Sequence, residues 1–457
     1  MSTVSVKSIA DACCPRLLRP FWERIKASDV GYRLANGTFW SLVGTTVSSS
    51  LALVASILVA RLMGKTTYGE LGIVRSTVAM FGAFAGLSLG LTATKHVAEF
   101  RRTDPLRAGR IMALSGVVAF GSAALVATVC FALAPWLATH TLAAPQLASL
   151  LRIGCLILFL EAITGAQTGA LAGFEAFKTI AHLNAIVGVL SFPILVAGAL
   201  FGGLEGAVWG MTANMAVKWA LSHLALRREA ARAAVPFVLA GWWREWRTLW
   251  RFSLPATLGG FVLGPASWAS GALIVNRPGG YAEMGVYNAA SQWYSAVLLL
   301  PGLLSIVVFP VLSEQLGRQR TSQSKRVLRL AIAVNFLVVA PLILLGVLTS
   351  PWIMASYGRD FADGSPTLIV VLLTAGLVAL QYPVANLITA SGRVWLQMFM
   401  TIGWALAFLG MTWLLGSSGA LGLAAARAVA CLIQAVWAFA FAVNLLRRAD
   451  QRGPIHE

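Results

Sequence analysis

From Ile111 to Leu151 the chain runs without a single Lys, Arg, Asp or Glu. About 20 apolar residues in helical form cross a bilayer, so this run holds one full crossing and the start of another. The rest of the chain follows suit. Only 11% of its residues are charged, and the mean hydropathy is +0.77. A soluble domain carries about 25% charged residues, and a water-facing surface cannot be built from fewer than half as many. The fold class expected is therefore all-α, a polytopic membrane protein.

The apolar segments predict about twelve transmembrane helices: 37–60, 69–93, 111–136, 148–171, 180–201, 205–224, 252–275, 283–310, 327–350, 366–388, 394–415 and 419–446. Residues 1–36 form a cytoplasmic N-terminal segment with several cations but no apolar core, so no cleaved signal peptide is expected. Residues 447–457 form a cytoplasmic tail.

A formal charge of +18 in so apolar a chain looks contradictory until the cations are placed. With both termini inside, 27 of the 35 Lys and Arg fall on cytoplasmic segments. Only Arg61, Lys65, Arg277 and Arg359 fall outside. That bias sets the orientation. It also removes nucleic acid as a partner, because the charge faces the anionic lipids of the inner leaflet. The five cysteines and five histidines show no metal-ligand spacing, and no metal or other cofactor is expected. Coupling to a proton or sodium gradient stays open.

The loops are short except for a cytoplasmic linker, 225–251, at the midpoint. Its second half predicts an amphipathic helix in the inner interface. Trp242, Trp243, Trp246, Leu249 and Trp250 form one face, and Arg244, Arg247 and Arg251 the other. Six helices precede the linker (37–224) and six follow it (252–446). After the first helix come Arg61, Gly64 and Gly69; after the seventh come Arg277, Gly280 and Gly285, each displaced by 216 residues. Gln167 and Gly173 likewise match Asn386 and Gly392 in spacing. The two bundles are then related by a pseudo-two-fold axis along the membrane normal, a transporter layout. These glycines read best as helix ends and tight turns. Gly82, Gly86 and Gly90, four apart, read as a helix-packing face.

The stretches ILVARLMGKTTYGE (57–70), GLSLGLTATKHVAEF (86–100), FSLPATLGG (252–260), MGVYNAASQW (284–293), FPVLSE (309–314) and NLITASG (386–392) resemble the Wzx-type oligosaccharide flippases. These belong to the polysaccharide transporter family, in the large group that includes the MATE exporters. The resemblance implies two bundles rocking about a central cavity in a bacterial inner membrane. It also implies a cargo of undecaprenyl-pyrophosphate-linked glycan, for exopolysaccharide, capsule or O-antigen synthesis. Partners would be the lipid-linked oligosaccharide, membrane lipids, and polysaccharide synthase or polymerase proteins.

Four cations lie within the spans: Arg75, Arg152, Lys218 and Arg427. Charge there is costly unless it faces protein or water, so each is a candidate on the substrate path. Arg152 lies near the outer end, where it could simply snorkel. Glu161 is the clear embedded acid; it would either couple protons or hold an arginine, and Arg152, nine residues and about 13 Å away along the same helix, is not expected to be that arginine. The net-positive lumen suits a pyrophosphate headgroup. Gln167, Asn184, Asn214, Gln381 and Gln434 are available to sugars. The alternatives are a MATE-like multidrug exporter, which should carry acids in its lumen, and a glycan polymerase or ligase, which should have large outer loops.

Overall fold

The computed structural model describes residues 29–238, 240–246, 260–317 and 321–451. No strand occurs among them. A bilayer offers backbone amides no water, so the apolar segments close their hydrogen bonds within helices.

Among the described residues, eight helices are long and apolar enough to cross a membrane. Several of them fold back on themselves. Asp29–Gly86 turns at Gly64 (φ 74°), and Phe177–Arg232 turns at Gly203 (φ 53°). A straight helix would separate Ser56 from Tyr68 by about 18 Å; instead their hydroxyls meet at 2.6 Å. Near Gly203 the backbones of Gly198 and Gly206 pack with no room for a β-carbon. Val394–Leu415 and Gly419–Gln451 form a third hairpin, joined by the turn Gly416–Ser418. With the shorter Gly260–Val275, these turns accommodate the predicted passes. The seventh span is described only from Gly260, so FSLPATLGG lies outside the described residues except for its last glycine. Each span keeps the number of its place in the predicted order. "Outer" is the end bearing the turns at Gly64 and Gly203.

Exposed tryptophans band both ends. Trp136, Trp352 and Trp413 lie at the outer end, and Trp243, Trp246 and Trp395 at the inner one, as amphipathic rings favour at a headgroup boundary.

The glycine stripe of the second span differs from expectation. Gly90 does pack against the backbones of Gly165 and Gly169 on the fourth span, but Gly86 meets nothing and Gly82 faces Glu161. Between them the helix breaks, with Leu87 (φ 41°) and Ser88 (φ 49°) both left-handed. Ser122 Oγ on the third span donates to the Ala85 carbonyl at 2.8 Å. A neighbouring hydroxyl thus serves the backbone that the break frees.

Of the amphipathic helix expected in the linker, Trp242–Glu245 form a 3₁₀ turn that passes into α-helix at Trp246; Arg247, Leu249, Trp250 and Arg251 lie outside the described residues. Glu245 is buried and takes a two-pronged bond from Arg107 (Nε 3.1 Å, Nη2 3.2 Å). Arg107 sits in the first turn of Pro105–Trp136, which Asp104 caps by accepting from the Arg107 amide. The linker is therefore held to the first bundle. Arg107→Ala should open the Trp242–Trp246 segment to protease in inside-out vesicles. Because Arg107 is partly solvated, the loss in global stability should be about 1 kcal/mol or less; unchanged cleavage would refute the anchor.

Candidate functional site

Besides a deeper contact between the second and seventh spans, where Phe84 stacks on Phe261 with ring centroids 4.6 Å apart, the first six spans and the last six meet at the outer end. There the two matched motifs pack on each other. A β-carbon on Gly69 would collide with the Tyr281 carbonyl, and one on Gly285 with the Lys65 carbonyl. Around this crossing, Tyr281 donates to the Leu142 carbonyl (2.7 Å) and Asn276 to the Thr141 carbonyl (2.6 Å). Trp268 Nε1 donates to Thr77 Oγ1 at 2.9 Å. The outer seam is closed.

Gly64 turns as expected, with φ 74°. Gly280 does not: it is helical and packs on Ile274 and Val275, while its neighbour Gly279 takes the left-handed conformation (φ 71°). Gly392 is left-handed (φ 76°), whereas its counterpart Gly173 is helical and fits tightly against Val97. Arg277 donates to the Trp413 carbonyl at 3.0 Å, and Glu283 accepts from the Ala420 amide at 2.7 Å. Together they clamp the eleventh-to-twelfth turn. Arg61 is exposed and makes no such contact.

Below the seam lies a cavity of about 680 Å³, lined by the first, second, fourth, fifth, sixth and eighth spans. Arg75, Glu161 and Lys218 all line it. None of the three is ion-paired or hydrogen-bonded among the described residues. At 1.5 Å per residue, Arg75 lies about 9 Å below the outer end of its span, and Glu161 and Lys218 about 20 Å below theirs. Two cations and one acid thus face a single cavity at different depths.

The rest of the wall is neutral and polar. Asn184 and Asn214 are in it, as the sequence suggests. Gln167 instead meets His223 at 3.4 Å, and Gln381 is buried elsewhere. The eighth span supplies what sequence reasoning missed: Asn288, Ser291, Gln292 and Ser295. Their spacing of three, four and seven marks one helix face, and that periodicity could have revealed them. Asn214 Oδ1, Asn288 Nδ2 and Ser291 Oγ are buried without a partner. Asn288 Nδ2 rests where a β-carbon on Gly72 would be.

The remaining two cations stand apart. Arg152 is exposed on an outer groove with Leu156 and Phe159, its guanidinium 5.0 Å from the Phe131 ring centroid. It does not pair with Glu161. Arg427 lies inside the second bundle against Tyr287 and Tyr294, away from the cavity.

A family model described as "Polysaccharide biosynthesis protein" matches residues 34–316. The succinoglycan biosynthesis transport protein ExoT of Rhizobium meliloti is 27% identical over 74% of this chain, and the match spans 65% of that protein. The EPS I polysaccharide export inner membrane protein EpsE of Ralstonia solanacearum is 23% identical, over 86% of this chain and 90% of its own length. Among solved structures, an inward-facing multidrug resistance MATE transporter of the MOP superfamily superposes with a TM-score of 0.74, at 14% identity, over 90% of this chain and 99% of that one. A MOP superfamily transporter from Pyrococcus furiosus gives 0.68, at 14% identity, over 92% and 96%. At such identity the likeness is one of fold.

Proposed function

The chain belongs to the polysaccharide biosynthesis protein family, and on that premise we propose that it flips an undecaprenyl-pyrophosphate-linked oligosaccharide across the inner membrane by alternating access. The observation that carries this reading is the set of unpaired charges in one cavity. Arg75 and Lys218 outnumber Glu161 there, among amides and hydroxyls. Charge at membrane depth is costly unless it faces water or protein; these side chains are open to the cavity, where an anionic headgroup would find the cations without a competing partner. Guanidinium suits phosphate oxygens in a fork, and lysine adds a point charge. Sugars offer both donors and acceptors to Asn214, Asn288 and Ser291.

The cation distribution puts the termini in the cytoplasm, so the closed seam faces the periplasm and cargo enters from inside. As the two halves rock, the Gly69–Gly285 crossing parts and closes. No step makes or breaks a covalent bond. A drug-exporter lumen for cationic cargo would want the opposite balance of charge.

The decisive experiment is deletion followed by extraction of lipid-linked intermediates. An isoprenoid pyrophosphate carrying the glycan repeat should accumulate on the cytoplasmic leaflet, and its sugars would identify the cargo. Unchanged intermediates together with raised drug sensitivity would overturn the proposal in favour of an exporter.

A further inference from the structure

The second bundle holds a cation that the central cavity does not use. Arg427 sits about 12 Å along its span, taking 1.5 Å per residue. Its guanidinium carbon lies 3.9 Å from the Tyr294 ring centroid, and Nη1 donates to the Tyr287 hydroxyl at 3.3 Å. Nε is buried with no partner. No carboxylate among the described residues pairs with this charge. Between residues 260 and 451 the acids are Glu283, Glu314, Asp360, Asp363 and Asp450. Glu283 is committed to the Ala420 amide, and the others lie at or beyond helix ends.

A tyrosine face offsets part of a desolvated guanidinium charge. It cannot satisfy the in-plane N–H groups, because a stacked ring leaves the guanidinium edge free. Tyr287 accepts from Arg427 through its oxygen, so its own hydroxyl proton remains available to donate. The residue as a whole is of intermediate exposure while Nε is covered, so an incoming group would approach through the remaining Nη donors. A planar fork of N–H donors beside an O–H donor matches a tetrahedral oxyanion.

We infer that Arg427 and Tyr287, roofed by Tyr294, form an oxyanion site inside the second bundle, separate from the Arg75–Lys218 cavity. Inorganic phosphate and a phosphorylated lipid headgroup share the required chemistry. The site does not depend on the flippase reading, since it is defined by residues outside that cavity.

The test is thermal unfolding of the full-length purified protein in gluconate buffer, with added inorganic phosphate or undecaprenyl pyrophosphate. Ligand that binds the folded state raises Tm. Phosphate should raise Tm by several degrees in an Arg75→Gln/Lys218→Gln background, where the central cavity has lost its cations, and should no longer do so when Arg427→Gln is added to it. Tyr287→Phe, which removes one hydroxyl, should fold normally and raise the half-saturating concentration about tenfold. A response of that background to undecaprenyl pyrophosphate alone, lost on adding Arg427→Gln, would support the site and assign it to a lipid headgroup. The inference falls if neither probe shifts that background, or if adding Arg427→Gln and Tyr287→Phe leaves its response unchanged.

Discussion

Gly285→Val is expected to leave the protein in the membrane at normal levels and to abolish transport. Gly285 sits where the eighth span crosses the start of the second, and a β-carbon there would overlap the Lys65 carbonyl oxygen. That carbonyl directly follows the left-handed turn at Gly64, so it cannot swing aside without undoing the turn. Gly69 opposes the Tyr281 carbonyl from the other side, which leaves the crossing no slack. Overpacking of this kind costs about 1 to 3 kcal/mol or more. Here the clash exists only while the outer seam is closed. The penalty therefore falls on one of two transport states, and about 3 kcal/mol changes their ratio roughly a hundredfold. A cysteine at Ser76, in the cavity wall, should become reactive to an impermeant maleimide from outside. Gly121→Val is the control, since a β-carbon there meets open space. Wild-type transport by Gly285→Val, or unchanged labelling at position 76, would refute this account of the seam.

The helices were legible because a bilayer demands long apolar runs. Their facing was not. In water, a helix shows its buried side by hydrophobic periodicity; in lipid both sides are apolar, and that signal fades. So Arg75 and Arg152 look alike as embedded cations, yet one enters the cavity and the other a lipid-facing groove. The motif repeat located the Gly69–Gly285 crossing but misplaced one turn by a residue. The Gly279–Gly280 doublet allows either register, and the left-handed position fell on the first. The break at Leu87–Ser88 left no signal, because the chain turns there without glycine. The Arg107–Glu245 anchor joins residues 138 apart, a contact no local pattern encodes.

The second large effect expected is a contrast between two arginines. Arg75→Gln should lower transport at least tenfold while Arg152→Gln leaves it within twofold, with both proteins at normal membrane levels. A charge-assisted hydrogen bond contributes about 1.5 to 3 kcal/mol, which corresponds to roughly ten- to hundredfold in affinity. Arg75 has no carboxylate or hydrogen-bond partner among the described residues, so its removal orphans nothing in the protein. Any loss therefore reports contact with cargo rather than damage to the fold. Lys218→Gln should act in the same direction with a smaller effect, because a single ammonium has no fork. If both cations contact one headgroup, as the proposed function requires, the double variant should be less than additive. Arg152 lies over Phe131 at the membrane face, and glutamine there forfeits only an exposed contact. The measurement is turnover of the accumulated lipid-linked pool in deletion cells expressing each variant. Equal losses in Arg75→Gln and Arg152→Gln would mean that depth in the bilayer, not position in the cavity, decides which cations matter.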